Sequence, residues 1–148
     1  MKLDEKDQAI LQELLKDSKQ TTHCISKKLN IPITTVHNRI KKLESQKIIK
    51  KFTVNVDYLK LGRSIPAFIG ITVDYSSSKD KRLSQTEVAR AIKNIEGVQG
   101  VAVLTGEMDI LAKVIAKDLS ELNQIVTEKL RKIPGVDKTK TSVILKEV

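Results

Sequence analysis

Apolar residues in the first third of the chain recur every three or four positions, the spacing of helices that bury one face. The pattern breaks at Asn30-Ile31-Pro32. Proline disfavours helical geometry in the residue before it but is accepted in the first turn of a following helix. We therefore expect three helices, the second and third joined by a tight turn as in a helix-turn-helix. Their apolar faces comprise Ile10, Leu11, Leu14 and Leu15; Ile25 and Leu29; and Ile33, Val36, Ile40 and Leu43.

Beyond the third helix the apolar positions are spaced by two, which predicts a strand that forms a wing. These positions are Ile48, Phe52, Val54 and Val56. Residues 57–64 combine mixed polarity with a glycine, which is typical of a hinge. The patterns predict a winged helix-turn-helix domain over residues 1–56 and a hinge at 57–64.

Residues 65–148 alternate between strand and helix patterns. Strand periodicity is followed by a capping box at Ser84 and Glu87 and a helical stripe, then by two apolar runs at 98–104 and 110–115. A second helix is capped by Asp118, and a last strand follows it. Two similar segments, IEGV and IPGV, lie 38 positions apart, each at the end of a predicted helix. They indicate a tandem repeat. This order predicts a ferredoxin-like βαββαβ domain, so the fold class is α+β. The serine-rich insert at 76–81 predicts a loop.

Charge and composition narrow the function classes. The net charge is +9, and most of the excess falls within residues 1–60, so a polyanion is expected to bind this part. Cys24 is the one cysteine and both histidines lie in the helical pair, which argues against a disulfide framework, a metal site or a catalytic site. No cofactor is expected. No apolar targeting core or membrane-length apolar run is visible, so we expect a cytoplasmic protein without a membrane partner.

The outer face of the third helix carries hydrogen-bonding and basic side chains and no carboxylate. Such a face can address base edges and phosphates in the major groove of double-stranded DNA, although a solvated helix face has a similar composition. Arg39 lies at the flank, where pairing with an acidic residue of a neighbouring helix is as plausible as a phosphate contact. The lysines of the predicted wing could touch phosphates or keep an edge strand soluble. The candidate DNA-binding residues are Thr34, Thr35, His37, Asn38, Arg39, Lys41, Lys42, Lys50 and Lys51.

The segment Thr105-Gly106-Glu107-Met108-Asp109 separates two predicted strands and is a second candidate site. Amide hydrogens around a glycine turn can hold a carboxylate, and Asp109 can hold an ammonium. A free amino acid offers both groups. Taken without further information, the same segment is a hairpin turn, because glycine and aspartate are common in turns.

Several segments together resemble the Lrp/AsnC family of leucine-responsive and asparagine-responsive transcription regulators. They are LDEKDQAILQELLKDSK, TTVHNRIKKLE, QKIIKKFTVNVD, LTGEMD and VDKTKTSVIL, so the resemblance runs nearly end to end. It implies a homodimer formed through the sheets, with assembly into tetramers or octamers. It also implies an effector pocket between dimers that involves Gly106, Glu107, Met108 and Asp109, with Thr139 or Thr141 from a neighbour.

The sequence departs from the family at two positions. Pro32 stands where serine usually caps the recognition helix, and Met108 stands where an aromatic residue is usual. We therefore expect a sequence-specific DNA-binding transcription regulator that is modulated by an amino acid. The alternative is an amino-acid sensor that acts through protein contacts rather than DNA.

Overall fold

The computed structural model describes residues 3–74 and 84–146. The chain divides into two compact units, Met1–Val56 and Asp57–Val148, which are described separately below. The loop predicted at 76–81 lies outside the described residues. No helix among the described residues is long and apolar enough to cross a membrane.

The first unit contains the three predicted helices, α1 (Glu5–Lys16), α2 (Thr22–Leu29) and α3 (Ile33–Ser45). The side chain of Asp4 caps α1 by accepting a hydrogen bond from the amide of Asp7 at 2.8 Å, and Thr21 caps α2 in the same way. These caps satisfy amides that have no partner inside the helix. The apolar faces meet as predicted in a core that contains Ile10, Leu14, Ile25, Ile31 and Val36.

The predicted wing strand is wrong for the single chain. No strand is present between Gln46 and Ser64; Lys50 to Val56 is irregular, and Val54 is 80% exposed. A strand requires a neighbour that supplies backbone hydrogen bonds, and none of the described residues provides one here. Local periodicity does not show whether a partner strand is present.

The second unit is a four-stranded antiparallel sheet with helices, in the predicted order βαββαβ. The elements are β1 (Ile65–Val73), α4 (Gln85–Lys93), β2 (Val98–Val103), β3 (Ile110–Ala116), α5 (Leu119–Gln124) and β4 (Val136–Val143). The strand order in the sheet is β2-β3-β1-β4. Helix α5 continues into a π-helical stretch, Ile125–Leu130.

The sheet has one covered face and one open face. Alternate residues of β1, such as Ile69 and Ile71, are fully buried in one cluster with Ile92 of α4 and Leu122 of α5. Residues between them point to the other side because side chains alternate along a strand. On that open face Phe68 remains 40% exposed. The helices therefore cover one side of the sheet.

The segment predicted as a hinge, 57–64, makes contacts inside the second unit. The guanidinium of Arg63 donates to the carbonyl of Ile115 at 3.2 Å and lies 3.3 Å from the carboxylate of Glu96. Ser64 donates to the carbonyl of Lys117 at 3.0 Å. The C-terminal end of this segment is thus anchored to the sheet domain.

Gly70 forms a notch on the open face that holds the side chain of Met108. A Cβ atom at position 70 would lie 1.8 Å from the Met108 sulfur. We expect Gly70→Ala to lower the free energy of unfolding by about 1–3 kcal/mol, because the thioether must leave its place. Chemical denaturation of the full chain measures this.

Gly100→Ala is the matched control, since a Cβ at that strand position meets no atom within 4 Å. In a double-mutant cycle, the combined Gly70→Ala and Met108→Ala variant should lose less stability than the sum of the two single variants. Strict additivity would show that the notch does not hold the methionine.

Candidate nucleic-acid interface and effector loop

The third helix is presented by a turn that the sequence builds locally. Asn30 ends α2 in the left-handed conformation with φ 53°, which asparagine tolerates better than most residues. The hydroxyl of Ser26 donates to the carbonyl of Ile31 at 2.6 Å, and Ile31 is buried in the core. Pro32 occupies the N-cap of α3 and supplies no side-chain cap.

Most of the residues predicted to contact DNA lie on the solvent-facing side of α3. Its carboxyl-terminal flank is also basic, because Lys50 and Lys51 are exposed on the irregular segment that follows. Thr35 and Arg39 are partly buried. The exposed members on α3 are Thr34, His37, Asn38, Lys41 and Lys42.

Arg39 is held inside the unit by two carboxylates of α1 and its cap. Its guanidinium donates to Asp7 at 2.7 Å and also to Asp4. Asp7 is 1% exposed, so the ion pair provides the partner that a buried carboxylate requires. Lys42 lies 3.4 Å from the other oxygen of Asp7. Of the two interpretations of Arg39, the structure therefore shows the ion pair with a neighbouring helix.

These contacts shift the pKa values of Asp4 and Arg39. The hydrogen bond from Arg39, followed by that from the Asp7 amide, lowers the pKa of Asp4 below its usual value of 3.8. The same carboxylates, Asp4 first, raise the pKa of Arg39. A second cluster joins α1 to α2, where Lys16 and then Lys28 lower the pKa of Glu13. Both clusters fix α1 against the helix-turn-helix.

The candidate effector loop connects β2 and β3. Gly106 has φ 122°, a conformation that other residues rarely adopt. Thr105, Gly106 and Glu107 are exposed, whereas Met108 packs over Gly70. The amide of Leu104 donates to the carbonyl of Asp109 at 2.8 Å and closes the base of the loop. The tip can therefore present amides to solvent while its base stays fixed.

Asp109 is engaged by donors from other elements. One carboxylate oxygen accepts from the amide of Val73 at 2.8 Å, and the other accepts from the side-chain amide of Gln85 at 2.7 Å. Its expected contact with a ligand's ammonium stays a prediction. Gln85 was not identified from the sequence, because nothing local marks the first residue of a helix as the partner of a distant loop.

Thr139 and Thr141 are not brought onto the side of the sheet where Met108 lies. They pair with Ile71 and Ile69, and directly paired residues share a face. The hydroxyl oxygen of Thr139 is buried and has no hydrogen-bond partner in the described part of the chain. Their expected part in the effector site stays a prediction.

Acid should weaken the first unit through Asp4. A carboxyl group whose pKa is lowered by folding stabilises the fold above its unfolded pKa, and this contribution is lost as pH falls through the folded pKa. Asp4→Asn should therefore be less stable than the parent at neutral pH, and the difference should shrink as pH falls below about 3.8. Denaturant unfolding at several pH values measures it.

The matched control is Glu5→Gln, an exposed carboxylate in the first turn of the same helix. Among the described residues Glu5 has no contact with Arg39, so the difference in stability between Glu5→Gln and the parent should change less with pH. Equal pH dependence for the two variants would contradict a specific role for the ion pair.

Comparison with known proteins identifies the family. The sequence matches a model described as winged helix-turn-helix DNA-binding over residues 3–50 and one described as the Lrp/AsnC ligand binding domain over residues 66–148. An HTH-type transcriptional regulator of Pyrococcus furiosus is 46% identical over 141 residues, which cover 95% of this chain and 91% of the relative.

Two solved structures share the architecture. A transcriptional regulator of Neisseria meningitidis, solved in complex with L-methionine, has a TM-score of 0.88 at 25% identity, over 99% of this chain and 92% of that one. LrpC of B. subtilis has a TM-score of 0.84 at 26% identity, over 100% of this chain and 98% of that one. The chain belongs to the Lrp/AsnC family of transcription regulators, with a helix-turn-helix DNA-binding domain and a ligand-binding domain.

Proposed function

We propose that this regulator reads double-stranded DNA through the exposed face of α3. The observation that carries the proposal is the exposure of Asn38, His37 and Thr34 on a helix that follows the turn of a helix-turn-helix. Amide, imidazole and hydroxyl groups can exchange hydrogen bonds with base edges in the major groove. Lys41, Lys42, Lys50 and Lys51 supply charge for the phosphates.

Thr35 and Arg39 have supporting roles in this proposal. Thr35 is partly buried, so it lies at the edge of the contact face rather than at its centre. Arg39 is engaged by Asp4 and Asp7, and it orients α3 without touching phosphate. The proposed activity is DNA binding rather than catalysis.

The open face of the sheet is the proposed dimer surface. Phe68 is exposed there and Leu111 is partly buried, and a second copy would remove this apolar area from water. A two-fold dimer presents two recognition helices to one operator. Tetramers or octamers would follow if dimers associate further, and a cytoplasmic location fits an operator-binding role.

An amino acid is the proposed effector, bound at the tip of the loop between β2 and β3. The relative from Neisseria meningitidis, solved with L-methionine, supports this class of ligand. Exposed amides around Gly106 suit a carboxylate, and the loop carries two carboxylates, Glu107 and Asp109, for an ammonium. Met108 is a flexible apolar neighbour that suits an apolar ligand side chain.

The alternative function is an amino-acid sensor that contacts a protein through α3. It would show weak DNA binding that does not depend on sequence. Binding isotherms on operator and random duplexes at two salt concentrations separate the alternatives, because salt weakens phosphate contacts with any duplex whereas only a reader of base edges prefers the operator.

Substitutions on α3 should separate sequence reading from charge. Asn38→Ala should reduce the preference for operator over random duplex, with a loss of about 1–3 kcal/mol on the operator. Lys41→Ala should weaken binding to all duplexes similarly and flatten the salt slope by about one unit. Lys41 suits this test better than Lys42, because Lys42 also contacts Asp7.

Fluorescence anisotropy with operator and random duplexes measures both effects. The operator is first recovered by selection from genomic fragments. If both variants bind every duplex as the parent does, α3 is not the recognition helix.

Removal of the loop carboxylate should impair effector binding and spare DNA binding. Asp109→Ala should weaken binding of an amino acid by about tenfold to a hundredfold, equivalent to about 1.5–3 kcal/mol. DNA affinity without effector should survive. Calorimetric titration with the twenty amino acids, accompanied by sedimentation, measures the effect.

If no amino acid gives heat and the oligomer does not change, the effector proposal fails and the loop is a turn. If binding persists undiminished in Asp109→Ala, a ligand site exists elsewhere in the protein.

A further inference from the structure

The carboxylate of Asp109 joins three separate elements of the second unit. Its oxygens accept hydrogen bonds from the amide of Val73, the last residue of β1, and from the side chain of Gln85, the first residue of α4. Its own amide donates to the carbonyl of Ile71 at 3.0 Å. The end of the loop is therefore tied to a strand and a helix that lie far from it in sequence.

These hydrogen bonds fix the position of the loop, and moving the loop would cost the free energy of breaking them. Hydrogen bonds to an ionised acceptor are shorter and stronger than neutral ones. An ammonium that took Asp109 as its partner would compete with two donors already in place, the amide of Val73 and the side chain of Gln85. A buried donor left without a partner is costly, so Asp109 is best used where it is.

The other carboxylate of the loop is differently placed. Glu107 is exposed and makes no ion pair or hydrogen bond within the part of the chain that the structure describes. It lies one residue beyond Gly106, whose backbone conformation shapes the tip. It can meet a cation without breaking an existing contact.

We propose that Asp109 is a positioning residue that fixes the effector loop to β1 and α4, and that Glu107 supplies the carboxylate that meets the ligand's ammonium. This inference rests on the proposed effector function and assigns separate roles to its two acidic residues. Gln85 becomes part of the site, although it touches no ligand.

A pair of substitutions can separate position from charge at residue 109. In Gln85→Glu the new carboxylate faces the carboxylate of Asp109, and two acceptors cannot form a hydrogen bond. Adding Asp109→Asn supplies a donor to residue 85, and the asparagine oxygen still accepts from the amide of Val73. The double variant D109N/Q85E thus reforms both hydrogen bonds while residue 109 carries no charge.

The first measurement needs no ligand. Hydrogen exchange of the full-length protein should show faster exchange at Val73 and at residues 104–109 in Gln85→Glu, and recovery in D109N/Q85E. The matched control combines Gln85→Glu with Glu128→Gln, which removes the same charge at an exposed position, and should give no recovery. Unchanged exchange in Gln85→Glu would overturn the positioning role.

The second measurement is calorimetry with L-methionine as the probe. Gln85→Glu should bind about tenfold more weakly than the parent, and D109N/Q85E should return to within about threefold. Glu107→Gln should lose about tenfold with no change in hydrogen exchange. Gln85→Ala should weaken binding as Gln85→Glu does.

Each result decides one part of the inference. Recovery of hydrogen exchange without recovery of binding in D109N/Q85E would mean that the charge of Asp109 itself meets the ligand. Unchanged binding in Glu107→Gln would remove Glu107 from the site. If the parent gives no heat with L-methionine, the assignment of Glu107 fails for this ligand, and the exchange data alone decide the role of Asp109.

Discussion

The buried carboxylate of Asp7 is the constraint on which the placement of the recognition helix depends. It lies on α1 with 1% exposure, and a charge in that position needs a partner. Arg39 of α3 provides it at 2.7 Å. Breaking such a pair from one side leaves an uncompensated charge, so α1 and α3 are held together by electrostatics as well as by apolar packing.

A similar logic operates in the second unit. Asp109 lies at a junction of strand, helix and loop, where its oxygens accept from Val73 and Gln85. In both units a charged residue that the sequence offered for an outside contact, Arg39 for phosphate or Asp109 for a ligand, is engaged within its own unit. Residue type alone therefore does not show which group makes an outside contact.

The two faces of the sheet illustrate how a fold creates binding surfaces. Helices cover the face of Ile69 and Ile71, and the opposite face keeps Phe68 exposed and a notch at Gly70 that Met108 fills. The same strand thus supplies both a core and a surface, because its side chains alternate. Since Met108 reaches that surface from the loop, the sheet face and the loop are physically linked.

The sequence by itself determined the helices, the order of the strands along the chain and the outer face of α3, because helical and strand periodicities are local and each buries one face. It also located the caps at Ser84 and Asp118, where side chain and amide are three residues apart. The burial of Asp7 was not predicted, although Asp7 lies three residues before Ile10 on the same helical face. Tertiary structure alone decided that Arg39 is its partner, that Gln85 meets Asp109, and that the expected wing has no strand to pair with. These outcomes depend on which distant backbone and side-chain groups come within hydrogen-bond distance, and periodicity carries no information about that.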